Sequence, residues 1–324
     1  MHRRSFLRSG LAALSVSALP SAALAFPDRN IRVIVPFSPG GATDVAARLW
    51  ADRVKAGLGN IVIENKGGGG GAIGAAEVAR SQPDGHTLVF GNSSTQMLIP
   101  IVADKPPYDG VKDFAGVYMV CLSPTCIVVH QSVPAKTLSE FIAYAKANPT
   151  KLAYGSAGVG TMTNLAGELF KKLIGAPDIT HIPYKGSAPG VVDLASGQIP
   201  MMSPNVGGTL IDLHRAGQVR ILAICADQRM KAAPDIPTTA EAGLPNMIAA
   251  NFNGLFAAAN TPRAILDQIA TLTKTAMQDE NLQKTMIASG FEPILDSGPD
   301  EAQKMVVDET KRWLPIIKET GFKM

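Results

Sequence analysis

The sequence predicts an α/β protein of two lobes, each an open sheet flanked by helices, and three observations carry that prediction. Strand-like runs alternate with helical stretches from residue 31 onward. The same alternation returns in the middle of the chain. Finally, 324 residues are enough to surround two separate cores.

Ile31-Arg32-Val33-Ile34-Val35 is a β-branched run that halts at Pro36, and after a loop a helical stretch runs from Asp44 to about Leu58. Ile61-Val62-Ile63 is a second strand. Five glycines, Gly67 to Gly71, separate it from a helix carrying Ala75, Ala76, Val78 and Ala79. Pro83-Asp84-Gly85 is a turn by its chemistry, and Thr87-Leu88-Val89-Phe90 is the third strand. Consecutive strand-loop-helix units argue for parallel pairing with helices on both faces. In the middle, Ile127-Val128-Val129 is strand-like, and Thr137 and Glu140 have the spacing of a capping box. A strand over 151–154 precedes a helix that runs to about Ile174. Further strands are expected near 179–184, 199–203 and 219–224. The tail reads as two helices, 262–278 and 300–319, with no strand between them, packing back onto the first lobe.

Residues 1–25 have the pattern of an export signal. Arg3, Arg4 and Arg8 precede an apolar run from Leu11 to Leu19 that is too short to span a bilayer, and Ala23-Leu24-Ala25 is a small-x-small cleavage site. Cleavage after Ala25 leaves Phe26 first. The paired arginines resemble a twin-arginine signal, the alternative being a Sec signal that carries Arg-Arg. Both readings take the chain to the periplasm. Of 30 basic and 27 acidic residues the signal holds three basic ones and no acid, so the mature chain is balanced at 27 against 27. No long-range field then steers it onto nucleic acid or an anionic membrane. Cys121, Cys126 and Cys225 have no zinc or redox spacing, and buried small hydrophobes are the expectation.

Three loops join the C-terminal end of a strand to a helix, the edge where open α/β sheets bind ligands. The first is Pro36-Phe37-Ser38-Pro39-Gly40-Gly41-Ala42-Thr43-Asp44. Its prolines stiffen it, its glycines admit close backbone approach, and the helix entrance at Thr43 and Asp44 favours an anion. A tight turn with an N-cap would show the same residues. The second loop, from Gly155 to Thr161, is built alike, with Ser156, Gly158, Gly160 and a hydroxyl, Thr161, at the helix entrance. The third is Gly91-Asn92-Ser93-Ser94-Thr95, whose Ser93 and Ser94 are candidates to bind a carboxylate or a bridging water. Lys185, beside Tyr184, is a candidate cation from the second lobe, although a loop lysine is ordinarily solvated.

Two other patterns carry less. Gly69-x-Gly71-x-x-Gly74 matches a dinucleotide fingerprint, but no acid ends the next strand to hold a ribose, and a five-glycine run makes the match cheap. Tyr154-Gly155-Ser156-Ala157-Gly158 approaches a nucleophile elbow, but Tyr154 stands where the leading glycine belongs. His86, His130, His181 and His214 share no ligand spacing. No catalytic residue, metal or cofactor is expected.

The first loop with Ala47-Arg48 resembles the periplasmic receptors of tripartite tricarboxylate transporters, the Bug family. So do Val62-Ile63-Glu64-Asn65, Pro83-Asp84-Gly85-His86-Thr87-Leu88, the 154–161 block, Ile182-Pro183-Tyr184-Lys185-Gly186 and the 236–243 block. The resemblance implies a type II periplasmic-binding fold with mixed, mainly parallel sheets and a ligand cleft between the lobes. It implies residues 26–125 plus 250–324 as lobe 1 and 126–249 as lobe 2, with crossings near 121–128 and 251–258. It further implies a receptor, not an enzyme, that holds a di- or tricarboxylate, acidic amino acid or aromatic acid between the first loop and the 155–161 loop. Asn205 joins the expected ligand contacts. The partner is a membrane permease, and the receptor itself is expected to be a monomer. A sensor that presents its solute to a membrane kinase would use the same cleft, and a periplasmic enzyme loaded with cofactor before export is the third reading. Departures from the family pattern are Gly67-Gly68-Gly69-Gly70 for Pro-Gly-Ala-Gly, Pro200 for an aspartate, Phe252 for a tryptophan and Asn260 within the return segment.

Overall fold

The computed structural model describes residues 26–323, so the expected signal segment and its cleavage site lie outside the described residues. The chain begins with β1 (Ile31–Val35), α1 (Ala42–Leu58), β2 (Ile61–Asn65), α2 (Ala72–Ala79) and β3 (Thr87–Asn92). In α1, Ala46, Ala47, Trp50, Ala51, Val54 and Leu58 recur at helical spacing and are buried, and Gly59 in the left-handed region ends the helix. β1 pairs in parallel with β2 and β3, as consecutive strand-helix units require. A wide turn over Ser94–Leu98 runs into α3 (Ile99–Val102), and β4 (Phe114–Pro124) then leaves the first lobe.

The second lobe comprises β5 (Cys126–His130), α4 (Leu138–Ala147), β6 (Ala153–Ser156), α5 (Met162–Ile174), β7 (Thr180–Pro183), α6 (Ser187–Ala195), β8 (Met201–Met202), α7 (Gly208–Arg215) and β9 (Val219–Ile224). The Thr137 hydroxyl caps α4 by accepting from the Glu140 N–H at 3.2 Å. Its sheet runs β7-β6-β8-β5-β9. The pairs of β6 with β7 and β8 are parallel, whereas β5 is antiparallel to both its neighbours.

The chain returns through β10 (Ala250–Ala258), which inserts antiparallel between β3 and β4. α8 (Arg263–Met277), α9 (Glu280–Ala288), β11 (Glu292–Pro293) and α10 (Pro299–Thr320) follow. The first sheet is thus β11-β4-β10-β3-β1-β2. The two crossings lie side by side, since the Thr125 N–H donates to the Ala249 carbonyl at 2.8 Å and Thr125 bridges to Asn205.

The tail departs from expectation in two ways. α9 and β11 stand between the two anticipated helices. Asp279 caps α9 through the Asn281 and Leu282 N–H groups, and a two-residue strand is too short to leave an alternating pattern. α10 also serves both lobes. Ala302 and Val306 join the first lobe's core, while Trp313, Ile317 and Phe322 pack into the second lobe's core with α5. Helical periodicity identifies a buried face but not its neighbour, so the second half of this packing was not legible. The three cysteines are unbridged and buried, and burial pushes the Cys225 thiol up to about 12.

Candidate functional site

Two helices point their N-termini into the interlobe cleft, and the structure treats them differently. At α1 the cap is Gly41, two residues before the expected hydroxyl (Thr43) and three before the expected carboxylate (Asp44), and no side chain caps the helix. The first backbone bond of the helix is Val45 N–H to the Gly41 carbonyl at 3.0 Å. The N–H groups of Ala42, Thr43 and Asp44 consequently have no acceptor among the described residues. At α5 the Thr161 hydroxyl accepts from Asn164 N–H at 3.2 Å and the Ser94 hydroxyl, from the first lobe, accepts from Met162 N–H at 3.0 Å. The preceding loop is likewise closed on itself. Ala157, Gly158 and Gly160 donate to Thr163, Ser156 and Asn164 respectively. One open anion cradle faces one filled one.

Asp44 holds the open cradle in shape. Its carboxylate accepts from the Gly40 N–H at 2.9 Å, Arg48 Nε at 3.0 Å and Asn65 Nδ2 at 2.8 Å, while Asn65 also reaches the Phe37 carbonyl. Burial works to raise its pKa, but the bonds from Arg48, Gly40 and Asn65 outweigh burial and hold the carboxyl below its ordinary value. With Arg48 offsetting its charge, Asp44 does not repel an anion at the helix end.

The cradle opens into a small chamber of about 20 Å³ between the lobes, room for one or two oxygen-sized groups. Of the residues expected to bind ligand, Phe37, Gly41, Thr43, Ser94, Thr161 and Asn205 line it. Ala42, Asn92, Ala157, Thr163, Ser187 and Asn251 line it too and were not anticipated. Asn92 lies at the end of β3 in the third loop, so a polar side chain at a strand's C-terminal end was the available signal. Asn251 and Thr163 gave none. No charged side chain lines the chamber. Thr43 donates to Asn253 Oδ1 at 3.1 Å and accepts from Asn92 Nδ2 at 3.0 Å, which fixes the first turn of α1 from below. Asn251 Nδ2 donates to Asn205 Oδ1 at 3.3 Å across the crossings.

The other expected residues lie outside the chamber. Ser93 accepts from Phe252 N–H at 3.0 Å and anchors β10. Ser38 N–H donates to the Lys185 carbonyl at 3.2 Å, a contact between lobes, while Pro39 and Gly40 are exposed. Gly158, Tyr184 and Lys185 line a neighbouring cavity of about 230 Å³ with the glycine run, which shares Phe37 and Ala157 with the chamber, and the Tyr184 hydroxyl donates to Asp193. That run is an interlobe contact. A Cβ on Gly70, whose φ is +64°, would lie 2.4 Å from the Val159 carbonyl, so only glycine permits this approach.

Ser156 deserves comparison with a nucleophile, because its hydroxyl lies 2.7 Å from His181 Nε2. Burial pushes the His181 imidazole down to about 4, so the ring is neutral at pH 7. Yet Ser156 is fully buried and lines none of the cavities described, which leaves no path for a substrate carbonyl. The pair supports the 155–161 loop from behind. Ser156→Ala is expected to lower stability by about 1 kcal/mol and to leave ligand affinity within about twofold; paired thermal melts and calorimetry measure both.

Comparison with known proteins bears on this geometry. The sequence profile of the tripartite tricarboxylate transporter family receptor matches residues 46–322. The chain belongs to that family. A relative, protein BugT of Bordetella pertussis, is 34% identical over 95% of this chain and 94% of its own. A solved structure described as a periplasmic transporter is 38% identical, with a TM-score of 0.88 over 92% of this chain and 99% of that one. An R. palustris protein solved with adipate is 32% identical, with a TM-score of 0.87 over 92% and 99% of the two chains. The likeness extends through both lobes, and the fold is the type II periplasmic-binding architecture anticipated from the family's motifs, with mixed sheets as expected but not mainly parallel ones, because β10 and β5 pair antiparallel with both their neighbours. Within this family fold, α1 and α5 are the elements that face each other across the cleft here.

Proposed function

We propose that the chain is an extracytoplasmic receptor that captures a small carboxylate between lobe 1 (residues 26–125 plus 250–324) and lobe 2 (126–249). It delivers that solute to the membrane permease of a tripartite tricarboxylate-type transporter and catalyses no reaction. Export by residues 1–25 as a cleaved signal places it in the periplasm, where it acts as a monomer. The observation that carries the reading is the uncapped N-terminus of α1 in an uncharged polar chamber. Its free N–H groups and positive dipole end supply donors for a carboxylate without an arginine. Family membership and the adipate held by the R. palustris relative support the same ligand chemistry.

A ligand that binds only the folded state raises Tm by mass action, by a stability increment of about 2.7 kcal/mol at a hundredfold excess over Kd. Thermal melts against a panel of mono-, di- and tricarboxylates are expected to show a shift of several degrees for at least one acid, with matching heat in calorimetry. A panel without any shift or heat overturns the proposal.

A further inference from the structure

The polar chamber does not end the cleft. A second cavity, of about 630 Å³, adjoins it and shares Gly41, Ala42, Ser187 and Asn205 with it. One face of α6, presenting Val191 and Val192, lines it together with Val45 of α1, Leu213 of α7 and Phe291. Val192 is 66% exposed and lines this cavity. No acidic or basic side chain lines either cavity. The volume falls within the range of small-molecule sites.

We infer that this receptor takes a monocarboxylic acid with an apolar body, aliphatic or aromatic. The carboxylate occupies the polar chamber at α1, and the body fills the cleft between α6, α7 and the start of α1. The inference rests on the carboxylate reading given under Proposed function and narrows it. A second carboxylate in the larger cavity would lose hydration and meet no cation there, which is costly for any charge. An apolar body, by contrast, gains by leaving water for the valine and leucine walls. Continuity with the chamber is what assigns the cavity to the ligand rather than to a docking protein.

The test is a homologous series of straight-chain monocarboxylates, from acetate to octanoate, titrated by calorimetry beside dicarboxylates of matched length. Kd is expected to fall about fourfold per added methylene, the factor equivalent to about 0.8 kcal/mol per buried CH₂, until the cleft is filled. In Val192→Asn, an uncharged substitution at an exposed position, the preference for octanoate over propionate is expected to fall about tenfold, read as the ratio of the two Kd values. An affinity independent of chain length, or tighter binding of the matched dicarboxylates, overturns this inference and leaves the carboxylate receptor standing. If neither series binds, this inference falls, and the carboxylate reading falls with it when the full panel under Proposed function is also silent.

Discussion

Gly41→Asn is expected to weaken carboxylate binding at least a hundredfold without lowering Tm. Asparagine is among the best N-cap residues, and its side-chain oxygen would accept from the N–H groups of Thr43 or Asp44. Those are donors that α1 leaves open. A Cβ at position 41 meets nothing closer than the Ser38 carbonyl at 3.5 Å, and the backbone there (φ −74°, ψ 163°) is already that of a cap. The fold therefore accepts the substitution and gains a few tenths of a kcal/mol from the cap. The ligand, however, loses charge-assisted hydrogen bonds worth about 1.5–3 kcal/mol each, and two of them account for the hundredfold or more. Calorimetry and melts on one preparation measure the pair of effects. Unchanged affinity in a well-folded variant would place the carboxylate elsewhere. An uncapped helix thus retains a small instability that ligand relieves.

Asp44→Asn is expected to carry the largest stability loss, about 2–4 kcal/mol, because a buried carboxylate serving three donors is replaced by a group that presents NH₂ to one of them. The Gly40 N–H, Arg48 and Asn65 lose part of their acceptor, and the 36–41 loop loses its anchor. Affinity should fall with it, because Gly41 and the first turn of α1 are positioned by the same carboxylate. The pH dependence follows from the direction of the Asp44 shift. Its folded pKa lies below its unfolded one. The stabilisation is therefore complete above the unfolded value of about 4 and is lost as pH falls through the lower folded value. The Tm gap between the parent protein and Asp44→Asn is expected to be constant near neutrality and to shrink in that acid window. A gap that persists undiminished to the lowest pH at which both fold would rule out the charge as its source.

Much of the frame was legible in the sequence because it is local. β-Branched runs ending at Pro36 or at a glycine loop, the Trp50 and Val54 face of α1, and the Thr137 cap of α4 depend on neighbours within a turn or two of chain. The glycine-rich first loop was legible as an anion cradle for the same reason, and the ordered family blocks extended that reading to the whole fold. What differed was the equivalence of the two cradles. Gly41 offers no cap and Thr161 does, a contrast visible in the residues themselves. But the serine that closes α5, Ser94, comes from 68 positions away and from the other lobe.

The sequence by itself therefore determined the alternating strands and helices from β1 to β3 and from β5 to α5, the charge balance of residues 26–324 and the presence of an anion-favouring turn after β1. Only the tertiary structure decided which helix end stays open, that Asn92, Thr163 and Asn251 converge on it, and that α10 ties both lobes together. It also decided that Val191 and Val192 face a cleft. On the chain these valines look like the buried side of any amphipathic helix. Burial is a relation between surfaces, so whether protein or ligand covers an apolar face depends on what the rest of the fold places opposite it.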